Sequence, residues 1–175
     1  YIIYFVSKSC FDIVGFGNKQ VVEFYKEGRI KSAIDIFKLE EFDNVSPLAN
    51  KPGWGNVSAQ KLYQAIAEKR TITLPRLITS LGISGVGAVI SKILADKFES
   101  LESIMKATKD ELVEIEGLGE IIAEEIYVFF RNSVNIEFIN ELMRFIHIIP
   151  YERKDDFDKD HVLYKKTLVF TGTLS

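Results

Sequence analysis

Four Gly-x-Gly tripeptides carry the most distinctive chemistry of this chain: Gly15-Phe16-Gly17, Gly53-Trp54-Gly55, Gly85-Val86-Gly87 and Gly117-Leu118-Gly119. That chemistry is anion capture by the backbone. The first glycine admits the left-handed conformation that ends one segment. The second, lacking a side chain, leaves the first amides of a following helix open, and those amides have no partner within the helix. With the partial positive charge of a helix start, they suit a phosphate. The apolar residue between the glycines turns inward and pins the hairpin. The first glycines, at 15, 53, 85 and 117, are 38, 32 and 32 residues apart, which makes the tripeptides an internal repeat. A single copy reads equally well as a plain helix cap; four in register favour a shared ligand.

Helices must hold these tips. Counting from each second glycine, the fourth position reads Val21, Ala59, Ser91 and Ala123. The seventh reads Phe24, Leu62, Leu94 and Ile126, and the eighth Tyr25, Tyr63, Ala95 and Tyr127. These offsets predict one buried helical stripe per repeat, with a small residue where helices cross. The repeat unit is thus helix, tight hairpin, helix. A helix over 7–14 is expected to lead into the first hairpin, and helices from Asn18 to about Glu27, from Asn56 to Lys69, from the third tip to Phe98 and from Glu120 to Phe130 to leave the four tips. Ser32 is expected to cap a helix through Leu39, followed by an irregular stretch to Pro52. Thr73 is expected to cap a helix opening on Leu74-Pro75, Ser100 starts another, and Thr108 with Glu111 forms a capping box. Ser133 to Ile146 is expected as a closing helix.

The fold class expected is all-α, tandem helix-hairpin-helix repeats with four hairpins and a truncated β segment at the C-terminus. Three parts follow: a helical domain over 1–147, a charged linker over 148–164 and a strand-like piece over 165–175. Between Glu152 and Asp160 stand five acids and three bases with almost nothing to bury. Thr167 to Thr171 is β-branched and apolar.

Bulk properties narrow the function. At 175 residues and 47% hydrophobic content the chain can build a full core. It shows no apolar run near the ~18–20 residues of a membrane span and no secretory leader pattern. Cys10 is the single cysteine, which excludes a disulfide framework or a cysteine zinc site within this chain and suggests a reducing cytoplasm. A net charge of −3 argues against a strongly basic nucleic-acid binder, although backbone amides bind phosphate without formal charge. The chain begins at Tyr1 and stops inside an apolar run, as a piece of a longer protein would. His147 and His161 have no carboxylate or cysteine at ligand spacing, so neither a metal nor a base role is assigned. Trp54 is expected in the core and Cys10 as a small buried hydrophobe. Arg131, Lys92, Lys97 and Lys61 face either phosphates or only solvent.

Several stretches together resemble the helix-hairpin-helix domain of the bacterial NAD+-dependent DNA ligases. Phe5-Val6-Ser7-Lys8 through Phe11-Asp12-Ile13-Val14-Gly15-Phe16-Gly17 looks like that family's junction into its first hairpin. Leu77-Ile78-Thr79-Ser80-Leu81-Gly82-Ile83, running into Val86-Gly87, looks like its third, and Ile115-Glu116-Gly117-Leu118-Gly119 with Ala123 its fourth. Lys166-Thr167-Leu168-Val169-Phe170-Thr171-Gly172-Thr173-Leu174 is similar to the first strand of the BRCT domain that ends those ligases. Where the family carries Arg-His this chain has Ser84-Gly85, and where it often has Lys this chain has Val57; Lys19 fits the pattern.

The resemblance implies a clamp that grips nicked duplex DNA by its backbone, without reading sequence, for a catalytic domain upstream in the same protein, in replication and repair. The implied DNA-backbone site is Gly15, Gly17, Lys19, Gly53, Gly55, Gly85, Gly87, Gly117 and Gly119. The adenylation motif Lys-x-Asp-Gly is missing, so this piece is expected to have no catalytic residue, metal or cofactor of its own. The NAD+, divalent metal and zinc of such a ligase would be bound upstream. Two other readings stay open: the helix-hairpin-helix region of another DNA repair enzyme, and a helical protein-interaction module.

Overall fold

The computed structural model describes residues 1–152. The expected BRCT-like piece, His161 and most of the charged linker lie outside them. Among the described residues ten α-helices and one pair of short strands occur. The fold is mostly helical rather than wholly so, since β1 (Thr71–Thr73) pairs in parallel with β2 (His147–Ile149).

The helices that leave the tips form as their periodicity requires. They are α2 (Asn18–Lys26), α4 (Asn56–Glu68), α6 (Ala88–Phe98) and α9 (Glu120–Phe129). The fourth and seventh positions are buried in all of them. The eighth is not: Ala95 is buried, but Tyr63 and Tyr127 are half-buried and Tyr25 is 57% exposed. The buried stripe is therefore narrower than expected, and at its margin the half-buried Tyr63 hydroxyl donates to Asp43 Oδ1 at 2.7 Å.

The segments that lead into the tips differ sharply. α5 (Leu74–Ser80) precedes the third tip and α8 (Lys109–Val113) the fourth. The second follows only a 3-10 turn, Leu48–Asn50. The first follows no helix: α1 (Ile2–Phe5) ends early, and turns replace the helix expected over 7–14. Stacked Phe5 and Phe11, with ring centroids 4.2 Å apart, fill the core there and hold those turns without a helical ladder. Two copies are thus helix, hairpin, helix on both sides, and two keep only the tip and the helix after it.

Ser32 does not cap a helix. The Asp35 carboxylate instead accepts from the backbone N–H of Lys31 and Ser32, 2.8 Å each, and a 3-10 turn, Ile34–Lys38, leads into α3 (Leu39–Asp43). Ser100 caps α7 (Leu101–Lys106) by accepting from Ser103 N–H, and the Thr108–Glu111 capping box opens α8 as expected. α10 (Ser133–Leu142) begins at Ser133 as expected, capped by Asn132, and ends short of Ile146. The chain then extends, and His147 N–H donates to Arg70 O at 2.6 Å to start the parallel ladder.

One apolar cluster runs from Phe5 to Ile146 and joins the front and back of the chain. Four arginines staple its edges through backbone carbonyls. Arg70 donates to Phe37 O at 2.7 Å and Phe145 O at 3.4 Å; Arg76 reaches Cys10 O at 2.9 Å and Lys8 O at 2.8 Å. Arg29 donates to Ser46 O, and Arg131 to Met105 O and Ala107 O.

Candidate nucleic-acid interface

All four tips make the same turn, whatever leads into them. The amide of the middle residue donates back three residues: Phe16 to Ile13 at 3.2 Å, Trp54 to Lys51 at 2.9 Å, Val86 to Ile83 at 3.0 Å and Leu118 to Ile115 at 3.0 Å. The third residue of each turn is the first glycine, with φ of +81° to +85° at 15, 53 and 117 and +74° at 85. Positive φ at that position alone defines a type II turn, which demands glycine there and favours proline just before it. Pro52 occupies that place in the second copy.

The second glycines cap the helices in extended backbone, with φ of −84° at Gly17, −145° at Gly55, −98° at Gly87 and −70° at Gly119. Any residue can adopt that conformation. Space is not the constraint either. A Cβ would meet nothing within 4 Å at Gly55, Gly87 or Gly119, and only the Gln20 side chain, at 3.5 Å, at Gly17. Among the described residues nothing asks for glycine at these four places. In front of each, three amides stand without an acceptor among the described residues: those of 18–20, 56–58, 88–90 and 120–122. At the second tip Ser58 adds its hydroxyl to the Gly55 amide at 2.9 Å, which closes one further donor there.

Burial repeats as faithfully as the hydrogen bonds. Ile13, Ile83 and Ile115 are buried, as are Phe16, Val86 and Leu118, while everything between and just after them is exposed. The second tip departs. Lys51 stands in the isoleucine position, and its ammonium bridges Glu23 of α2 and Glu27 at that helix's C-terminal cap, the latter at 2.6 Å. Those two carboxylates raise the Lys51 pKa, and Lys51, ahead of Arg29, holds the Glu27 carboxyl below the usual carboxylate range. Trp54 is half-buried rather than fully in the core, its ring 5.6 Å from Phe24. It lines a cleft of about 470 Å³ between the first two tips, together with Gly15, Lys19, Gly53, Ser58 and Lys61.

The third and fourth tips interlock instead. A Cβ at Gly85 would lie 3.1 Å from Ile122 on α9, and one at Gly117 would lie 3.3 Å from Ile93 on α6. Each first glycine lets the other hairpin's helix come close, which pairs these two hairpins.

Charge is uneven along the surface so formed. Lys19, Lys61 and Lys92 are exposed on α2, α4 and α6 and make no ion pair among the described residues. Lys97 lies on the same helix as Lys92. Arg131 is not available to a ligand, since it closes the carbonyl ends of α7 and stacks over Tyr127 at 4.6 Å. The fourth tip is acidic: Glu116 and Glu120 are exposed beside its open amides, and Lys109 is engaged by Glu124. Sequence reasoning missed the carbonyl-capping arginines and Lys51. An arginine facing a carbonyl and one facing a phosphate look alike in sequence; the proline after Lys51 was the only local hint that it belongs to a turn.

Cys10 is fully buried, and no group of three or more potential metal ligands occurs among the described residues. No described helix is long and apolar enough to cross a membrane.

Compared with known proteins, residues 76–139 match the helix-hairpin-helix motif family, a span that takes in the two complete hairpins. Nearly the whole chain is similar to bacterial DNA ligases. It is 37% identical to the DNA ligase of Pelobacter propionicus across 98% of this chain and 27% of that protein. It is 41% identical to the DNA ligase of Wolbachia pipientis wMel and 38% to that of Ehrlichia canis, each across 98% of this chain and 26% of the relative. The chain thus spans about a quarter of the length of the relatives it matches.

Proposed function

We propose, on the premise that this chain corresponds to the helix-hairpin-helix stretch of the bacterial DNA ligases, that it grips duplex DNA by its phosphates without reading base sequence. One observation carries the reading. Four glycines cap helices in ordinary backbone conformations and in open space, each in front of three unpaired amides. A residue without a side chain that no internal contact requires is explained by something outside that approaches the backbone closely, and a helix start selects an anion. A duplex supplies anions at regular spacing.

Within that reading the site is Gly15, Gly17, Lys19, Gly53, Gly55, Gly85, Gly87, Gly117 and Gly119, and the partner is nicked duplex, held for the catalytic domain of a cytoplasmic NAD+-dependent ligase in replication and repair. Such a ligase's NAD+, divalent metal and zinc would be bound outside this chain. Incubation with labelled NAD+ and a divalent metal should therefore leave no covalent adenylate on it.

Titration of labelled duplexes, nicked and intact, at several salt concentrations tests the grip. With ~4 phosphates engaged, log affinity should fall against log salt with a slope of roughly −3 to −4. Unrelated sequences should bind alike, and the nicked duplex at least as well as the intact one. Gly87→Asp puts a carboxylate where a phosphate would sit and should weaken binding by about tenfold, the scale of one charged contact. Gly119→Asp should cost less, because Glu116 and Glu120 already stand there. Full binding in both variants with the fold intact would instead favour a protein-interaction module.

A further inference from the structure

We infer, resting on the duplex-grip reading, that Val57, Val89 and Ile121 select deoxyribose over ribose next to the phosphates held at the second, third and fourth tips. These three residues occupy one register position, two after the second glycine, in the first turn of α4, α6 and α9. They are 67%, 73% and 80% exposed, among the most exposed large apolar side chains described. Local propensity does not ask for them: a β-branched residue is a poor helix former, and a helix's first turn favours acidic side chains. Nor does the core use them.

Their direction follows from helix geometry. The Cα–Cβ bond tilts toward the helix N-terminus, so a side chain in the first turn leans past the open amides toward whatever those amides hold. A phosphate seated there brings its own sugar alongside. In DNA the sugar offers C–H groups at C1′ and C2′, which an isopropyl or sec-butyl face covers favourably. In RNA the 2′ position carries a hydroxyl displayed along the shallow minor groove. Covering that hydroxyl with valine or isoleucine strips its water and returns no hydrogen bond. The first tip is built otherwise. Lys19 stands in the same register, and an ammonium engages phosphate whatever the sugar.

The experiment compares the chain's affinity for duplex DNA, an RNA–DNA hybrid and duplex RNA of one sequence at moderate salt. The probe variant is the triple substitution Val57→Thr, Val89→Thr and Ile121→Thr, which puts a hydroxyl in place of a methyl at the two valines and in place of the ethyl arm at the isoleucine, all at exposed sites; a thermal melt checks that it is folded. The unsubstituted chain should prefer DNA over RNA by roughly tenfold or more, the effect of one to two unpaired hydroxyls. The triple variant should lose most of that ratio, through weaker DNA binding and stronger RNA binding. Lys19→Gln should weaken both and leave the ratio alone. A wild-type ratio near one, or a ratio unchanged in the triple variant because duplex shape alone sets it, overturns the inference while leaving the duplex grip standing. Binding to neither nucleic acid removes the grip reading and this inference with it.

Discussion

The first two tips and the last two make the same turn by different means. At the third and fourth, α-helices lead in, and each tip receives an isoleucine from the other hairpin against its first glycine. At the first and second, turns and a 3-10 segment lead in, the first glycines touch nothing, and Lys51 with Glu23 and Glu27 ties one tip to the other's helix. One joint is apolar and tight; the other is ionic and has a cleft open between its tips. What stays constant across both is the turn, the extended glycine and the row of free amides. On the proposed reading, geometry that survives such different supports is what a shared ligand would require, whereas the supports need only be stable.

The contrast should appear first in stability. Gly85→Ala and Gly53→Ala both force a side chain into left-handed backbone, at about 1–2 kcal/mol each. Gly85→Ala must also push Ile122 from a Cβ only 3.1 Å away, so its total should reach about 2–3 kcal/mol. For a chain of this size that lowers the melting temperature by roughly 4–10 °C, against roughly 2–6 °C for Gly53→Ala. Equal losses would mean that the two hairpin pairs are joined alike.

Much of this was legible in the sequence, and the reason separates it from what was not. Val21, Ala59, Ser91 and Ala123 were readable as buried because helical periodicity is local and repeated four times. Thr108 with Glu111 was readable because a capping box spans four residues. The parallel pairing of Thr71–Thr73 with His147–Ile149 was not, since three-residue strands show no period and their partners are far apart in the chain. The same holds for Arg70, whose carbonyl partners Phe37 and Phe145 stand on segments distant in sequence. Among the candidate site residues, the glycines were found by type and spacing. That the second of each pair faces open space could be found only from the folded backbone.

A second difference concerns the grip itself. The first pair offers Lys19 and Lys61 around its cleft, and the second pair offers Lys92 with acidic side chains at its other tip. Each lysine that neutralises a phosphate contributes about 0.9 to the salt slope, whereas backbone amides release fewer counterions. Lys19→Gln with Lys61→Gln should therefore flatten the slope by roughly 2, and Lys92→Gln by roughly 1. Affinity titrations between low and moderate salt measure both. A larger loss from Lys92→Gln would place the ionic part of the grip on the apolar joint and reverse the comparison.

The smallest effect is a pH response of the ionic joint. Glu27 has its carboxyl pKa lowered in the folded chain, mainly by the Lys51 hydrogen bond. A lowered pKa means that the unfolded state binds more protons across the carboxylate range, so stability rises with pH there. The stabilisation is complete above the ordinary glutamate pKa of about 4.3 and fades as pH falls below it. The third and fourth tips are joined to each other through isoleucine and glycine, and the lowered carboxyl pKa at Glu111 on that side comes from the Thr108 capping box within α8 and not from a contact between tips. Trp54 is the chain's single tryptophan and lines the cleft beside this joint, so its emission reports on that joint alone. On acidification from pH 6 its spectrum should shift to the red, as water enters the cleft, before the far-ultraviolet circular dichroism of the helices changes. Lys51→Met removes the cation that lowers the Glu27 pKa and should abolish the early shift while leaving the later, global transition. If the two signals move together in the unsubstituted chain, the first pair of hairpins is held by its core packing, and the ion pair is incidental to the joint.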